Sequence, residues 1–465
     1  MTATYRWADH RVFPHPDGAV LFGVDDASLF AVPEDAREVL ARWRGKDPLL
    51  LEEAPSPDRG VLEAFRDARL LVPAGARPRR RPVPPDPGGA PLATLVLEVA
   101  QACNLRCGYC YASGGTYGGD ARLMTPEAAR KAVRRLVASS GDLEEVTLVL
   151  FGGEPLLNRP GLEAAVAEAE LAAREAGKAL NLSLTTNGTL LDAETVSFLH
   201  AHRVGVSVSL DGPPDLHDAN RPYADGGGSY ASVVEGLRRL LAGSPRPVAA
   251  RVTLTPGQWG RVPEVFDHLL GLGFHEVGIA PASPATADLL PTEQEEDALL
   301  RGFEALARRF EEEARHGGVL PFANLLDLLG RLHAGQVRSL PCGAGFGYLA
   351  ADASERLYLC HRLAGDDRFC VGDLDHGPDP AATRACLEAL AEPRRQECSR
   401  CWARALCSGG CHYENHVREN VLGQAPGGSC RFVRLWLALG IELYGRLGEG
   451  EAEWLLPRLS RRAAH

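Results

Sequence analysis

Three cysteines fall within one short stretch, Cys103-Asn104-Leu105-Arg106-Cys107-Gly108-Tyr109-Cys110. So close a set cannot pair off as disulfides, and it is one ligand short of closing a tetrahedral zinc or four-cysteine iron–sulfur site. One metal position is left open. On a [4Fe–4S] cluster such an open iron can chelate a small molecule through an amine and a carboxylate. A fragment of a zinc site, or buried free thiols, is the plainer reading of the same residues. A second cysteine-rich stretch lies downstream: Cys342, Cys360, then Cys398-x2-Cys401-x5-Cys407-x3-Cys411, and Cys430. Its Cys-x2-Cys spacing also allows zinc.

These thiols need a scaffold, and the chain from Thr94 alternates β-type runs with helical periods. The runs are Thr94–Val99, Val146–Phe151, Leu180–Thr185, Gly205–Leu210, Ala249–Leu254 and Glu276–Ala280. Helix-start chemistry stands between them, as in Thr125 before Pro126 and Glu127, with Ala129, Val133 and Leu136 on one face. Such alternation specifies a parallel sheet with helices outside, and six repeats suit a partial, open barrel whose chemistry sits at the strands' C-terminal ends. The polar residues fall there. Gly152 and Gly153 permit close approach of the backbone to a ligand, and Glu154 can accept hydrogen bonds from an ammonium group. Thr186, Asn187 and Ser209 offer short side chains suited to hydroxyl and amine contacts. Asp211 could deprotonate a substrate. Each motif taken singly is also an ordinary turn.

The spacing CxxxCxxC, with Tyr109 before the third cysteine and the ordered motifs that follow, resembles the signature of radical SAM enzymes. That resemblance implies S-adenosylmethionine (SAM) on a [4Fe–4S] cluster held by Cys103, Cys107 and Cys110. Glu154 of the GGEP stretch would bind the methionyl ammonium. Arg221, in His217-Asp218-Ala219-Asn220-Arg221-Pro222, resembles the family arginine that pairs with the SAM carboxylate, a task suited to a fork-shaped donor. The downstream cysteines resemble a SPASM domain with two auxiliary [4Fe–4S] clusters, which makes three in all. The family's crossed ligation would assign Cys398, Cys401, Cys407 and Cys430 to one cluster. Cys342, Cys360 and Cys411 would hold the other with three protein ligands and one open iron, where a substrate thiolate could bind. The usual pattern has a glycine where Glu355 stands. Cys370 and Cys386 read as ordinary thiols, although either could fill the open position. His361 and His412 adjoin cluster cysteines, but neighbours on a strand point apart, so neither is expected as a ligand.

The expected fold is therefore α/β: a partial (β/α)6 radical SAM barrel over 93–283, an N-terminal α+β module over 1–72, and a SPASM region over 339–432. A linker (73–92), a helical bridge (284–338) and a C-terminal helix (433–465), expected to pack on the barrel, complete it. The module reads as strands Ala19 to Val24 and Ser28 to Val32 around an Asp25-Asp26 turn, then a helix from Glu34 with Ala36, Val39, Leu40 and Trp43 on one face. A second helix near Val61 to Ala68 and the run Leu70-Leu71-Val72 follow. An open sheet edge could take an added peptide strand, and the module is similar to the leader-recognition element of peptide-modifying radical SAM enzymes. The Arg79-Arg80-Arg81 run reads as solvated linker. The bridge carries a core stripe of Leu299, Leu300, Phe303, Leu306 and Phe310.

Composition limits the partners. A formal net charge of -11 over 465 residues argues against nucleic-acid or anionic-membrane binding. No apolar run is long enough to span a bilayer, and twelve cysteines with no secretion signal point to metal ligation in the reducing cytoplasm. The resemblance implies a precursor peptide or small protein subunit bound through its leader, and a flavodoxin- or ferredoxin-type electron donor. The stretches Cys342-Gly343-Ala344-Gly345, Tyr358-Leu359-Cys360-His361-Arg362 and Cys401-Trp402-Ala403-Arg404 look most like maturases that form sulfur-to-carbon thioether links, including the quinohemoprotein amine dehydrogenase type. Rivals are carbon–carbon cross-linking, epimerisation, sulfatase-type formylglycine formation, and a non-catalytic iron–sulfur electron-transfer protein. The sulfatase group usually has another cysteine soon after the position of Cys342, and Gly343 to Gly347 contains none.

Overall fold

The computed structural model describes residues 3–76, 86, 90–283, 286–391, 395–423, 430–447 and 454–455. Its N-terminal module contains strands β1 (Thr4–Trp7), β2 (His10–His15), β3 (Gly18–Gly23), β4 (Leu29–Pro33), β5 (Leu49–Leu50) and β6 (Leu71–Pro73). These make two three-stranded antiparallel sheets, β5-β1-β6 and β2-β3-β4, where the sequence suggested one. Strands β1 and β2 escape a pattern reading because Arg6, His10, Arg11 and Pro14 dilute their apolar alternation; β1 is decided by pairing with β5 and β6, distant in sequence, and β2 by a hairpin with β3. Helices Glu34–Trp43 and Ser56–Asp67 bury Ala36, Val39, Leu40, Leu62 and Phe65 in one core. The β2-β3-β4 sheet is shared between two cores: Leu21 and Val32 join the helices, while Phe13, Val20 and Phe22 pack with Leu328, Leu332, Leu437 and Ile441 from the C-terminal half. The Arg79-Arg80-Arg81 run lies outside the described residues.

The central sheet begins with β7 (Thr94–Gln101) and continues through β8 (Arg122–Leu123), β9 (Glu145–Gly152), β10 (Ala179–Thr186), β11 (Gly205–Ser209), β12 (Ala249–Leu254) and β13 (Glu276–Pro281). The parallel order β7-β9-β10-β11-β12-β13 follows the chain, as a partial (β/α)6 barrel requires, and β8 is a short antiparallel addition to β7. Thr125 caps the first outer helix, accepting from Ala128 N at 3.1 Å. Ala129, Val133 and Leu136 of that helix share a core with Leu95, Leu97 and Val99. Because side chains alternate along a strand, Val96, Glu98 and Ala100 then face the lumen.

The sheet does not stop at β7. Strand β14 (Tyr348–Ala351) runs parallel to it, followed by the antiparallel β15 (Arg356–Tyr358), β16 (Cys370–Asp373) and β17 (Gly377–Pro378). The cysteine-rich region is thus hydrogen-bonded onto the edge of the strand that leads into Cys103. Bridge helices Glu293–Arg315 and Ala323–His333 bury Leu299, Phe303, Leu306 and Phe310, while Leu300 stays part-exposed. The C-terminal helix starts at Cys430 and runs to Arg446. It packs on those bridge helices and the N-terminal sheet rather than on the barrel strands: Trp436 meets the Phe303 ring at 5.0 Å, and Leu437 and Ile441 join Phe13 and Phe22. The bridge occupies the barrel's flank, so the helix finds its apolar partners one layer further out. No helix of the described residues is long and apolar enough to cross a membrane.

Candidate active site

Three loops at the strands' C-terminal ends are tied together around the first cysteine motif. The loop after β7 is fastened to the segment after helix Pro214–Asn220: Arg106 N donates to Pro222 O (2.8 Å), and Gly108 N to Asn220 O (3.2 Å). It is fastened to the loop after β10 by Asn104 Nδ2 to Thr189 Oγ1 and by Asn187 Nδ2 to Asn104 Oδ1, both at 2.8 Å. These contacts, with Leu105 buried beneath, hold the thiols of Cys103, Cys107 and Cys110 within electrostatic reach of one another. Burial raises the Cys103 thiol and pushes Cys107 up to about 11, so a deprotonated set here calls for bound positive charge. Among the described residues no three His, Cys, Asp or Glu side chains converge at single-ion range. Three thiols on one loop, one ligand short of a closed four-cysteine site, are a donor set that would suit an iron–sulfur group with one open iron.

Gly152 and Gly153 serve this loop directly. A Cβ on Gly152 would stand 2.3 Å from Ala100 O, and one on Gly153 would stand 2.3 Å from Ala102 O. The close approach they permit is therefore between β9 and the backbone feeding Cys103, where a ligand contact was expected. Glu154 follows with no exposed surface. Its Oε1 accepts from Leu156 N (3.0 Å) and Thr186 Oγ1 (2.8 Å), and its Oε2 from Asn187 N (2.6 Å). Three neutral donors do not offset the loss of water, and burial pushes the carboxyl up to about 7. A bound ammonium is the missing partner this chemistry asks for.

Thr186 and Asn187 are differently disposed from the nucleoside contacts expected of them. Thr186 donates to Glu154, and Asn187 braces the cysteine loop through Asn104 with Cys103 Sγ at 3.8 Å. Ser209 ends β11, part-exposed, in register with Arg251 of β12.

Arg221 and Asp211 form a buried pair. Arg221 Nε donates to Asp211 Oδ2 at 2.9 Å, and its guanidinium lies 5.4 Å from the centre of the Tyr109 ring. Asp211 Oδ2 also accepts from Tyr109 Oη (2.6 Å) and Asn220 Nδ2 (3.4 Å), and Oδ1 from Thr253 N (2.9 Å). With no exposed surface and both oxygens engaged, Asp211 does not have the geometry of a base on substrate; it anchors Arg221. His217, the first residue of the motif that contains Arg221, adds a brace. Its Nδ1 accepts from Asp211 N (3.2 Å), Nε2 meets Ser229 Oγ (2.9 Å), and Ser229 Oγ donates to Arg221 O (2.6 Å). Accepting at Nδ1 fixes a neutral imidazole, in accord with burial lowering it to about 4.

A second thiol group faces the first across an aromatic partition. Cys360, pushed by burial up to about 12, lies within electrostatic reach of Cys411 and Cys342. Tyr111, beside Cys110, feels the charge of both Cys110 and Cys360. Arg362 stacks over Tyr111 (5.0 Å) and Tyr413 (4.6 Å), and its Nη1 points at Cys411 Sγ (3.6 Å). His361 is part-buried against Phe151, Tyr111 and Tyr348 and hydrogen-bonded to the Tyr348 hydroxyl. His412 is buried with Nε2 unpartnered among the described residues. Cys370 and Cys386 keep company with each other, their thiols near Gly372 O (3.5 Å) and Arg368 O (3.2 Å). Of the remaining set, Cys401 and Cys407 pack with Trp402, Cys401 N bonds Cys398 O at 3.2 Å, and Cys430 opens the C-terminal helix.

The site also contains an acid that no motif marked. Glu98, in the lumen with no exposed surface, has both carboxyl oxygens unpartnered among the described residues, and the Tyr117 hydroxyl lies nearby short of hydrogen-bond geometry. Burial, with Asp352 close by, raises it well above the usual carboxylate range. A lone acid inside the apolar run Leu95-Val96-Leu97-Glu98-Val99-Ala100 was the available signal.

Residues 97–269 match the model of the radical SAM superfamily. The chain carries a radical SAM domain. Across 378 residues the chain is 26% identical to the serine-type anaerobic sulfatase-maturating enzyme of Klebsiella aerogenes, covering 78% of this chain and 90% of that one. Among solved structures, native anSMEcpe with bound AdoMet and Cp18Cys peptide superposes with a TM-score of 0.60 at 20% identity, over 80% of this chain and 99% of that one. Streptococcus suis SuiB bound to the precursor peptide SuiA superposes with a TM-score of 0.50 at 13% identity, over 90% and 98%. The radical SAM domain thus sits in a chain whose fold extends, in both neighbours, well beyond the barrel.

Proposed function

We propose that this radical SAM enzyme matures a ribosomally made peptide or small protein subunit by joining a cysteine sulfur to a carbon. The observation that carries the reading is the grouping of Cys342, Cys360 and Cys411 opposite the Cys103–Cys110 loop. Three thiols hold an auxiliary [4Fe–4S] cluster with one position left for a substrate thiolate. Bound at these residues, the clusters and SAM supply a carbon radical able to take a hydrogen atom from a substrate carbon.

The chain's own residues do the positioning. Glu154 receives the methionyl ammonium, with Thr186 and Asn187 N fixing its carboxylate. Arg221, held through Nε by Asp211, presents the rest of its fork to the methionyl carboxylate. The ring wall of Tyr111, Tyr413, Phe151 and His361 keeps water from the space between the two thiol groups. Cys398, Cys401, Cys407 and Cys430 hold the second auxiliary cluster. The N-terminal module receives the leader, and a flavodoxin- or ferredoxin-type protein supplies electrons. The peptide named in the SuiB complex supports a peptide substrate.

A second reading, oxidation of a serine or cysteine to formylglycine, is favoured by the Klebsiella aerogenes relative. One experiment separates the two. The anaerobically reconstituted enzyme, dithionite and SAM are incubated with peptides encoded in neighbouring small reading frames. Loss of two hydrogens together with loss of an alkylatable thiol, and no hydrazine-reactive carbonyl, supports the thioether. A trapped carbonyl supports formylglycine, and absence of 5′-deoxyadenosine overturns both.

A further inference from the structure

We propose that the recess beside Cys401 is the docking surface for a small acidic one-electron carrier protein of the flavodoxin or ferredoxin class. The inference rests on the reading of Cys398, Cys401, Cys407 and Cys430 as an auxiliary-cluster set. The recess, of about 460 Å³, is lined by Arg11, Arg400, Cys401, Trp402, Arg431 and Arg434, with Leu435 and Ala438 at its base. Four arginines at one opening stand out in a chain whose net charge is -11. Arg431 is partly neutralised by Glu296 (3.3 Å) and Asp297. Arg11, Arg400 and Arg434 are exposed, and no ion pair among the described residues engages them. Arg11 lies 4.9 Å over the Trp402 ring, which leaves its charge available at the rim.

Three properties point to a redox protein. The surface is cationic and surrounded by an acidic molecule, so an acidic partner is drawn to this opening and repelled elsewhere. Cys401 is itself a lining residue, so a cluster that it helped to hold would lie beside the docked partner. The wall is built from elements far apart in sequence, β2, the segment around Cys401 and the C-terminal helix, so it is a surface of the folded whole. On docking, the carrier loses one electron and the cluster held by these cysteines gains it; no bond is made or broken. An acidic leader peptide shares the same charge logic but gains nothing from contact with Cys401.

The test uses the reconstituted full chain and an acidic flavodoxin. Binding is read by calorimetry at low and high salt, and 5′-deoxyadenosine release is driven either by reduced flavodoxin or by dithionite. In the Arg400→Glu/Arg434→Glu double variant, and more weakly in Arg400→Gln and Arg434→Gln, flavodoxin binding should weaken. The flavodoxin-driven rate should fall roughly tenfold or more, with the dithionite-driven rate kept. Unchanged flavodoxin binding and rate in the double variant would overturn the proposal. So would a variant that keeps flavodoxin binding but no longer binds the substrate peptide. If dithionite fails to drive SAM cleavage in the unaltered enzyme, the functional reading falls, and calorimetry still decides whether the surface binds the carrier.

Discussion

Arg221 and Asp211 meet through a single nitrogen, Nε at 2.9 Å from Oδ2, with neither side chain more than slightly exposed. The guanidinium lies 5.4 Å from the centre of the Tyr109 ring in the cysteine loop, and Asp211 has Tyr109, Asn220 and Thr253 N as further donors. The pair fixes the direction of a cation.

Replacing Asp211 by Asn keeps the shape and removes the countercharge. Breaking a buried pair on one side costs about 3–5 kcal/mol, because the other charge stays behind. SAM affinity, measured by equilibrium dialysis, should drop, and apo-protein melting should fall with it. A base on substrate would behave otherwise: SAM would bind and be cleaved normally while product formation stopped.

Glu154 gives a pH prediction with a definite sign. Its folded-state pKa of about 7 lies above the ordinary 4.5, so folding favours its protonated form. The associated stability is fully present below about pH 4.5 and is lost as pH rises through about 7, on the order of 3 kcal/mol. Thermal melts of the cluster-free protein should therefore lose this decline between about pH 4.5 and 7 in Glu154→Gln. The same variant should bind SAM at least tenfold more weakly, since the ammonium loses its anion.

How much of this was legible in the sequence depends on what each signal was made of. The six barrel strands were readable because apolar runs bounded by turns alternate with helical periods, and Ala249–Leu254 was found to the residue. Strands β1 and β2 were not: β1 pairs with partners far away in the chain, and β2, though it forms a hairpin with β3, has His10, Arg11 and Pro14 across its apolar alternation. Spacing alone could not group the cysteines, and only the resemblance set Cys342, Cys360 and Cys411 together; in the structure their proximity follows from β14 adding to β7. The partner of Asp211 was not legible, because a carboxylate at a strand end looks alike in sequence whether it faces substrate or an arginine.

Glu355 illustrates a departure that the fold absorbs. The family pattern has glycine there, and Glu355 takes φ +65°, in the left-handed region, with Lys131 Nζ 2.6 Å from its carboxylate. That ion pair is part-exposed and contributes at most about 1 kcal/mol, comparable to the backbone cost of about 1–2 kcal/mol. Glu355→Gly and Glu355→Ala both lose the pair, but only glycine relieves the backbone. The glycine variant should be more stable than the alanine variant by about 1 kcal/mol in urea unfolding; equal stability would mean the left-handed backbone is not strained.

The two thiol groups should separate by function when removed singly. Cys103→Ala takes a ligand from the loop that Asn104, Asn187 and Pro222 hold in place, so 5′-deoxyadenosine release should vanish. Cys342 is exposed and stands with Cys360 and Cys411, beyond the Tyr111 partition. Its alanine variant should keep SAM cleavage, lose iron from the auxiliary set by elemental analysis, and make no cross-linked peptide. Full product from Cys342→Ala would show that the substrate sulfur needs no iron there, and the thioether reading would lose its support.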